Sequence, residues 1–284
     1  MSVPFHPPDT RGQLAVAARL LTAVSDTPRL DAELLLAHAL GVERSALLLD
    51  PDHYGVPEDF AGLVARRLNH EPVAYIVGYR DFWTIRVMVG PGVLVPRPDS
   101  ETLLEAAVQH FGPRAPRRVL DLGTGPGTLL LAALAQWPGA TGLGIDASAD
   151  ALDYARDNAA ALDMGERARF ALGDWGAGVA ERFDLILCNP PYIRSDAPLL
   201  ADVANHEPAA ALFAGADGLD AYRIILPQVT QLLTADGIAL LEIGWDQADA
   251  VQSLAQAAGL SVQRHRDLGG RDRALLLRAA GPHQ

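Results

Sequence analysis

The sequence predicts an α/β protein whose doubly wound, mostly parallel sheet follows a small N-terminal helical domain and a connecting β-hairpin. From Arg117 onwards, apolar runs of strand length alternate with segments of helical periodicity, which is typical of βαβ units. Residues 14–69 show helical periodicity instead. Between these regions, the stretch from Tyr75 to Val89 is rich in Ile, Val, Tyr, Phe and Trp, which favours paired strands.

The N-terminal region predicts a small helical bundle. Apolar residues recur at helical spacing from Leu14 to Val24, and further helices are expected over 30–40 and 57–69. Residues 1–13 are polar and rich in proline, so we expect a poorly ordered tail there.

A hairpin and a stiff linker are predicted over residues 75–98, because Pro96 and Pro98 exclude a helix. The predicted domains are therefore a helical bundle over 1–74, this connector, and an α/β domain over 99–284.

The α/β domain is expected to open with a helix that Asp99 or Ser100 caps, with Glu101 in its first turn. Strands and helices then alternate along the chain. The predicted strands are 119–120, 141–145, 168–172, 184–188, 238–243, 261–265 and 273–278, and the predicted helices are 128–136, 148–161, 219–233 and 247–258.

Composition narrows the function classes. The 284-residue chain has a formal net charge of -12, which disfavours a broad nucleic-acid surface. Its one cysteine, Cys188, excludes an internal disulfide and a cysteine-rich zinc site. The scattered histidines indicate no metal ligation. Without a signal-peptide core or an apolar run of membrane-spanning length, we expect a soluble cytoplasmic protein. We also expect a monomer.

A glycine-rich loop, Asp121-Leu122-Gly123-Thr124-Gly125-Pro126-Gly127, lies between a predicted strand and a predicted helix, where doubly wound sheets bind ligands. Asp146 ends the next strand and could accept both hydroxyls of a ribose. Dinucleotides and S-adenosylmethionine both suit this arrangement. The G-x-G-x-G spacing and the loss of one N–H at Pro126 favour the cofactor without phosphates. The alternative is a tight connection without a ligand.

Further cofactor contacts are predicted after the third strand. Asp174 could accept the adenine amino group, and Trp175 could pack on the adenine face, although Trp175 could equally be a core residue. The candidate cofactor residues are Asp121, Gly123, Thr124, Gly125, Pro126, Gly127, Asp146, Asp174, Trp175 and Asn189.

The segment Asn189-Pro190-Pro191-Tyr192 is predicted to form a rigid turn at the same edge of the sheet. An amide or aromatic amine nitrogen is a poor nucleophile because its lone pair is delocalised. The Asn189 side-chain oxygen and the Pro190 carbonyl could each accept one N–H of such a group and orient it, while Tyr192 packs over its plane. Asn189, Pro190 and Tyr192 are therefore the candidate catalytic residues, and the whole turn is the candidate substrate site. A plain proline turn is the alternative.

The chain resembles the PrmC/HemK family of glutamine methyltransferases from about Leu14 to its C-terminus. The matching segments are Glu71–Gly78, Phe82-Trp83, Val95–Glu101, Asp121–Gly127, Asn189–Tyr192, Glu207-Pro208, Gly218-Leu219 and Leu241–Gly244. Pro126 stands where many members carry Thr, and Gly144-Ile145-Asp146 replaces the commoner Ala-Val-Asp.

The resemblance implies a class I, Rossmann-like methyltransferase that uses S-adenosyl-L-methionine. It implies that Gly123–Gly127, Asp146, Trp175 and Asn189 line the cofactor site. The implied substrate is the glutamine in the Gly-Gly-Gln loop of class-1 peptide chain release factors, and the helical domain is implied to help hold that partner. Arg97 and Glu101 are left outside the predicted site, as a surface ion pair and a first-turn helix acid.

Three alternatives remain. A glutamine methyltransferase of a ribosomal protein would use identical chemistry. A DNA adenine methyltransferase would need a basic groove and usually a target-recognition insertion, which the acidic chain lacks between its motifs. A non-enzymatic nucleotide-binding module would not need the Asn189–Tyr192 turn.

Overall fold

The computed structural model describes residues 10–280, which divide into two compact units. One unit comprises residues 10–79 with Leu199–His206, and the other comprises Arg80–Pro198 with residues 207–280. The predicted tail over 1–13 falls outside the described residues as far as position 9. Its last four residues belong to a helix that begins at Thr10, so the prediction was wrong there.

The described residues include every helix and strand of the predicted α/β domain. The helices are α1 (Thr10–Leu21), α2 (Pro28–Leu40), α3 (Arg44–Leu49), α4 (Phe60–Leu68), α5 (Val73–Val77), α6 (Glu101–Phe111), α7 (Thr128–Gln136), α8 (Ala149–Ala161), α9 (Ala201–His206), α10 (Asp220–Leu232) and α11 (Ala248–Ala257). Three of these, the short helices α3, α5 and α9, were not predicted from the sequence. The strands are β1 (Tyr79–Phe82), β2 (Ile85–Met88), β3 (Arg118–Leu122), β4 (Thr141–Asp146), β5 (Ala168–Leu172), β6 (Phe183–Cys188), β7 (Leu233–Glu242), β8 (Leu260–Arg266) and β9 (Asp272–Ala279).

The helical unit packs around one apolar cluster that includes Leu14, Leu35 and Phe60. Helices α1, α2 and α4 confirm the three predicted ones. Tyr75–Val77 were expected in a strand, and this was wrong: they lie in α5, whose last turn ends at Gly78 in the left-handed conformation (φ +85°). Tyr75 and Ile76 are buried, so their apolar character reflects packing of a helix.

One buried cation joins three segments of the helical unit. The Arg67 guanidinium, 5% exposed, contacts Asp31 Oδ2 at 2.9 Å, the Val24 carbonyl at 2.8 Å and Asp202 Oδ2 at 3.3 Å. Because Asp202 lies in α9, this network attaches α9 to helices that precede it by over a hundred residues. A charge so deeply buried is tolerated because it is paired and hydrogen-bonded.

The second unit is built on a seven-stranded sheet with the order β5-β4-β3-β6-β7-β9-β8. Strands β3 to β7 pair in parallel, whereas β9 is antiparallel to both β7 and β8. With helices between its parallel strands, the sheet confirms the predicted doubly wound α/β architecture. Strands β1 and β2 form a separate two-stranded hairpin.

Strands β3, β4 and β6 end at the same edge of this sheet because they are parallel and nearly in register. Leu122 pairs with Ile145 on one side and with Cys188 on the other. The segments that follow these strands therefore emerge side by side, as ligand-binding loops do in this type of sheet. Cys188 is fully buried, as expected for a strand residue next to the core.

The first helix of this unit lacks the expected side-chain cap. Neither Asp99 nor Ser100 caps α6: both lie in a short 3-10 turn, Pro98–Ser100, and the Ser100 side chain makes no cap hydrogen bond. Asp99 pairs with Arg273 at 2.9 Å, and Ser100 donates to Glu242. The capping prediction was wrong because tertiary partners took both side chains.

Candidate active site

The glycine loop is held against the end of β4 by its own backbone. The N–H groups of Gly123 and Thr124 both donate to the Ile145 carbonyl at 2.9 Å. The loop glycines Gly123, Gly125 and Gly127 all have positive φ, between +55° and +85°, which other residues adopt only with strain. A Cβ on Gly123 would also meet the Trp175 ring at 3.1 Å. The loop is therefore a tight, preformed connection that brings backbone close to any ligand.

Two carboxylates support this loop from different sides. Asp146 accepts from the Gly125 N–H at 2.8 Å and from the Ser148 N–H at 2.9 Å. Asp121 is buried and accepts from Thr124 Oγ1 at 2.6 Å and from the Leu130 N–H at 3.2 Å. Burial raises the pKa of Asp121 to about 7, although both hydrogen bonds lower it.

A cavity of about 360 Å³ opens at this edge of the sheet. Its lining includes Gly123, Gly125, Asp146, Asp174, Trp175, Asn189 and Pro191, all of which the sequence singled out. Linker residues Gly92–Leu94, Ala147, Ser148 and the segment around Ala210 also line it, and the sequence did not point to them. Among the described lining residues none is Lys or Arg, whereas two are Asp. This lining suits a cationic or neutral nucleoside better than a pyrophosphate.

The remaining predicted cofactor residues do not line the large cavity. Asp121, Thr124 and Pro126 line a smaller cavity of about 50 Å³, and Gly127 lines neither. Both cavities share Leu94, Gly123, Gly125 and Asn189. The structure therefore brings all the predicted residues together, but places some in support of the loop instead of at the main cavity.

Asn158 also supports the loop, and sequence reasoning missed it. This buried side chain donates to the Pro126 carbonyl at 2.9 Å and to the Met88 carbonyl at 3.0 Å, and accepts from the Met88 N–H at 2.7 Å. It thus ties the glycine loop to β2. An asparagine on the apolar side of a helix was the available signal, since a buried amide must find partners.

The Asn189–Tyr192 turn begins directly after β6. Asn189 Nδ2 donates to Ser100 Oγ at 3.0 Å, and Tyr192 OH donates to Glu242 Oε1 at 3.1 Å. The Tyr192 carbonyl accepts from Gln247 Nε2 at 3.0 Å. Gly218 must be glycine here, because its φ is +75° and a Cβ would collide with the Tyr192 carbonyl. Side chains from three other segments therefore hold the turn.

Glu242 is the buried acid at the centre of these contacts. It is 1% exposed and accepts hydrogen bonds from Ser100 and Tyr192. Burial raises the pKa of Glu242 to about 7, while Ser100 and the nearby Arg273 lower it. Burial, and then the charge of Glu242, raise the pKa of Tyr192 above its ordinary value. Sequence reasoning placed Glu242 in a matching motif without a role.

Arg97 and Glu101 have structural partners. Arg97 Nη2 pairs with Glu207 Oε1 at 2.5 Å, and the Glu207 side chain is only 2% exposed, so the pair is partly buried and not a surface pair. Glu101 accepts from the Trp83 N–H at 2.8 Å. Arg97 thus attaches the linker, which borders the smaller cavity, to the segment at Glu207, and Glu101 attaches the hairpin turn to α6.

The doubly wound sheet has the fold of a class I methyltransferase. A methyltransferase from Pyrococcus furiosus shares this fold with a TM-score of 0.52 at 18% identity, over 67% of this chain and 87% of that one. A methyltransferase small domain matches residues 97–207, and a PrmC N-terminal domain matches residues 13–78. The chain therefore contains a methyltransferase domain.

Curated relatives narrow this class to one family. A release factor glutamine methyltransferase of Rhodospirillum rubrum is 47% identical over 94% of this chain and 84% of its own length. Another, from Caulobacter vibrioides, is 43% identical over 92% of this chain and 93% of its own. The chain belongs to the release factor glutamine methyltransferase family, as the resemblance to the PrmC/HemK family implied.

Residues 10–280 contain no group of three or more His, Cys, Asp or Glu side chains that could hold a metal ion. Over the same residues, no helix combines the length and apolar character needed to cross a membrane.

Proposed function

We propose that this chain methylates the side-chain amide nitrogen of the glutamine in the Gly-Gly-Gln loop of class-1 peptide chain release factors. The observation that carries the proposal is the orientation of Asn189. Its amide nitrogen donates to Ser100, so its amide oxygen is left to accept from an acceptor NH₂ group. Asn189 also lines the cavity that suits the cofactor, so acceptor and methyl donor would meet at this side chain.

The residues of the Asn189–Tyr192 turn orient the substrate amide. Asn189 Oδ1 accepts one N–H of the substrate amide and the Pro190 carbonyl accepts the other, which turns the nitrogen lone pair out of conjugation. Pro191 fixes the direction of the Pro190 carbonyl, and Tyr192 packs against the amide plane. No strong base is needed, because the nitrogen loses its proton readily once it carries the methyl group.

The cavity fits S-adenosyl-L-methionine by its chemistry. When bound, this cofactor supplies an electrophilic methyl group on a positively charged sulfur. Asp146 would accept the ribose hydroxyls, Asp174 the adenine amino group, and Trp175 would pack on the adenine face. The glycine loop with Asn189 would line the rest of the site, and Asp121, Thr124, Pro126 and Gly127 would hold that loop in shape.

Partner and setting follow from the same proposal. The helical unit, for which we predicted the boundaries 1–74, would help hold the release factor. The net charge of -12 favours a basic protein surface over a nucleic acid. We further propose that the enzyme is cytoplasmic, since translation termination takes place in the cytoplasm. We also propose that it is a monomer.

A labelling experiment tests this function. The enzyme is incubated with radiolabelled S-adenosylmethionine and three acceptors: a class-1 release factor, its Gln→Ala variant in the Gly-Gly-Gln loop, and duplex DNA. We expect label on the intact release factor only, and its loss when Asn189→Ala replaces the wild-type enzyme. Label on DNA would instead support an adenine methyltransferase. Absence of label on the release factor would overturn the proposal, and ribosomal proteins would be the next acceptors to test.

A further inference from the structure

The two ends of the Asn189–Tyr192 turn are bound to the same carboxylate. Asn189 Nδ2 donates to Ser100 Oγ at 3.0 Å, and Ser100 Oγ donates to Glu242 Oε2 at 2.5 Å. Tyr192 OH donates to the other oxygen, Glu242 Oε1, at 3.1 Å. In the sequence, Asn189 lies 89 residues from Ser100, and Tyr192 lies 50 residues from Glu242, yet these residues form one continuous chain of hydrogen bonds.

The direction of each hydrogen bond in this chain is determined by chemistry. An ionised carboxylate can only accept, so the single hydroxyl proton of Ser100 must point at Glu242. Ser100 can then act only as an acceptor toward Asn189. The Asn189 NH₂ group must therefore face Ser100, and the Asn189 oxygen must face the other way. The same acceptor directs the Tyr192 hydroxyl proton.

Glu242 has no evident need to be a carboxylate for stability. A fully buried carboxylate is expensive unless it is paired. Arg273, whose charge lowers the pKa of Glu242, instead pairs with Asp99 at 2.9 Å and with Asp267 at 3.4 Å. Both Glu242 oxygens are used by hydroxyls that reach the turn, directly or through Ser100. Such a costly group with both oxygens committed to one turn indicates a role in that turn.

We propose that Glu242 is a positioning residue for methyl transfer, which acts through Ser100 to present the Asn189 oxygen to the acceptor and holds Tyr192 at the other end of the turn. This role rests on the proposed function, because it needs the turn to be the acceptor site. Glu242 itself would touch neither the cofactor nor the glutamine.

Protonation of Glu242 would disturb this arrangement. Burial raises the pKa of Glu242 to about 7; Ser100, Arg273 and Tyr192 lower it, and Asp99 raises it. The other groups that face it are the hydroxyl of Tyr222, which donates to the Glu242 carbonyl, and the buried thiol of Cys188 on β6. A protonated Glu242 becomes a donor at one oxygen, so one of its two hydroxyl partners loses its acceptor. The turnover rate is then expected to fall as the pH drops below about 7.

The test compares the wild type with Glu242→Gln in the labelling assay, with a release factor as acceptor. An amide keeps the volume of the side chain but replaces one acceptor by a donor. We expect kcat to fall roughly tenfold to hundredfold while KM for S-adenosylmethionine changes little. In the wild type kcat should rise with pH and level off above about 7, and the variant should lose this dependence on Glu242.

Ser100→Ala provides a second readout. If Ser100 and Glu242 act in series, removing Ser100 lowers kcat in the wild type but costs much less in the Glu242→Gln background. The matched control is Asp184→Asn, a part-buried carboxylate at the opposite end of the adjacent strand, which accepts from the Arg117 and Arg118 N–H groups. That control should leave the pH profile of kcat unchanged even if it lowers the melting temperature.

The outcomes separate this role from the proposed function. A wild type that does not label the release factor overturns the proposed function, and the positioning role falls with it. A wild type that labels the release factor, together with a Glu242→Gln variant of nearly unchanged kcat and pH profile, overturns the positioning role alone. Equal losses in kcat and in cofactor affinity would identify a merely structural residue, and would also overturn it.

Discussion

The glycine loop and the Asn189–Tyr192 turn follow neighbouring strands of the same sheet, but different interactions hold them in place. The glycine loop is fixed mainly by backbone N–H groups, which donate to the Ile145 carbonyl and to Asp146 on the adjacent strand. The turn is fixed by the side chains of Ser100, Glu242 and Gln247, all from other segments.

This difference suggests that the loop and the turn have separate roles, in cofactor binding and in methyl transfer. A rigid backbone loop can bind a cofactor of constant shape. A turn held through a chain of side-chain hydrogen bonds orients one acceptor group, where a small error in geometry costs rate more than affinity. We therefore expect substitutions in the loop to weaken cofactor binding and substitutions in the turn to slow methyl transfer.

The largest effect is expected for Asn189→Ala. The variant loses the hydrogen-bond acceptor, Asn189 Oδ1, that holds the substrate amide while its nitrogen becomes pyramidal in the transition state. The value of kcat should therefore fall on the order of 10²–10³-fold. Steady-state labelling of the release factor measures this. Calorimetric affinity for S-adenosylmethionine is the control and should change only slightly; a variant with nearly full kcat would refute the assigned role of the turn.

Asp146→Ala should weaken cofactor binding. It removes the carboxylate that holds the Gly125 and Ser148 N–H groups and is proposed to bind the ribose. Hydrogen bonds to a charged group contribute about 1.5–3 kcal/mol, so Kd for the cofactor should rise roughly tenfold to hundredfold. Isothermal calorimetry measures it, and Asp150→Ala, an exposed carboxylate at the start of α8, is the control for loss of charge. Unchanged affinity would contradict the role of Asp146.

Gly218→Ala sharpens the comparison, because it disturbs the turn without removing any polar group. The new Cβ would collide with the Tyr192 carbonyl, and we expect kcat to drop about tenfold through misplacement. Gly259→Ala is the matched control: its φ is +78°, close to the +75° of Gly218, and nothing lies within 4 Å of a Cβ there. If kcat fell equally in both variants, strain from the positive φ would explain the loss, and the collision with the Tyr192 carbonyl would not.

Asp121, which supports the glycine loop, is expected to affect stability and not the rate of methyl transfer. The pKa of Asp121 is about 7 in the fold against an ordinary value of 3.8, so the folded state binds more protons between these pH values. The free energy of unfolding should therefore fall as pH rises through that window, by at most about 4 kcal/mol from this group. Asp121→Asn should flatten part of that slope in urea titrations across the same pH range. If the free energy of unfolding of Asp121→Asn changed with pH as steeply as that of the wild type, a group other than Asp121 would be responsible.

The fold was largely predictable because its strong signals are local. Helix α7 and strand β5 have the predicted bounds, since glycines mark their ends: Gly127 precedes α7 and Gly173 follows β5. The short helices α3 and α5 escaped prediction, because six and five residues are too few to display a period. Strand β7 begins at Leu233, five residues before the predicted start, within a segment that also contains Asp236 and Gly237.

The candidate site was predictable only in part, and for a related reason. The glycine loop and the turn are contiguous motifs, whereas Ser100 and Glu242 meet the turn only after the chain has folded. Ser100 was expected to cap a helix, which is the usual local role of a serine before a helix. Local rules could not reveal that the Ser100 hydroxyl would donate its hydrogen bond to a carboxylate 142 residues away.

The most direct test of this division is the rate of a single turnover at saturating S-adenosylmethionine, measured for Asn189→Ala and Asp146→Ala side by side. If the turn carries the chemistry and the loop carries cofactor affinity, Asp146→Ala should regain nearly the wild-type rate once the cofactor saturates it. Asn189→Ala should stay slow at every cofactor concentration. Recovery of Asn189→Ala at high cofactor, or a persistent loss in Asp146→Ala, would contradict the assignment.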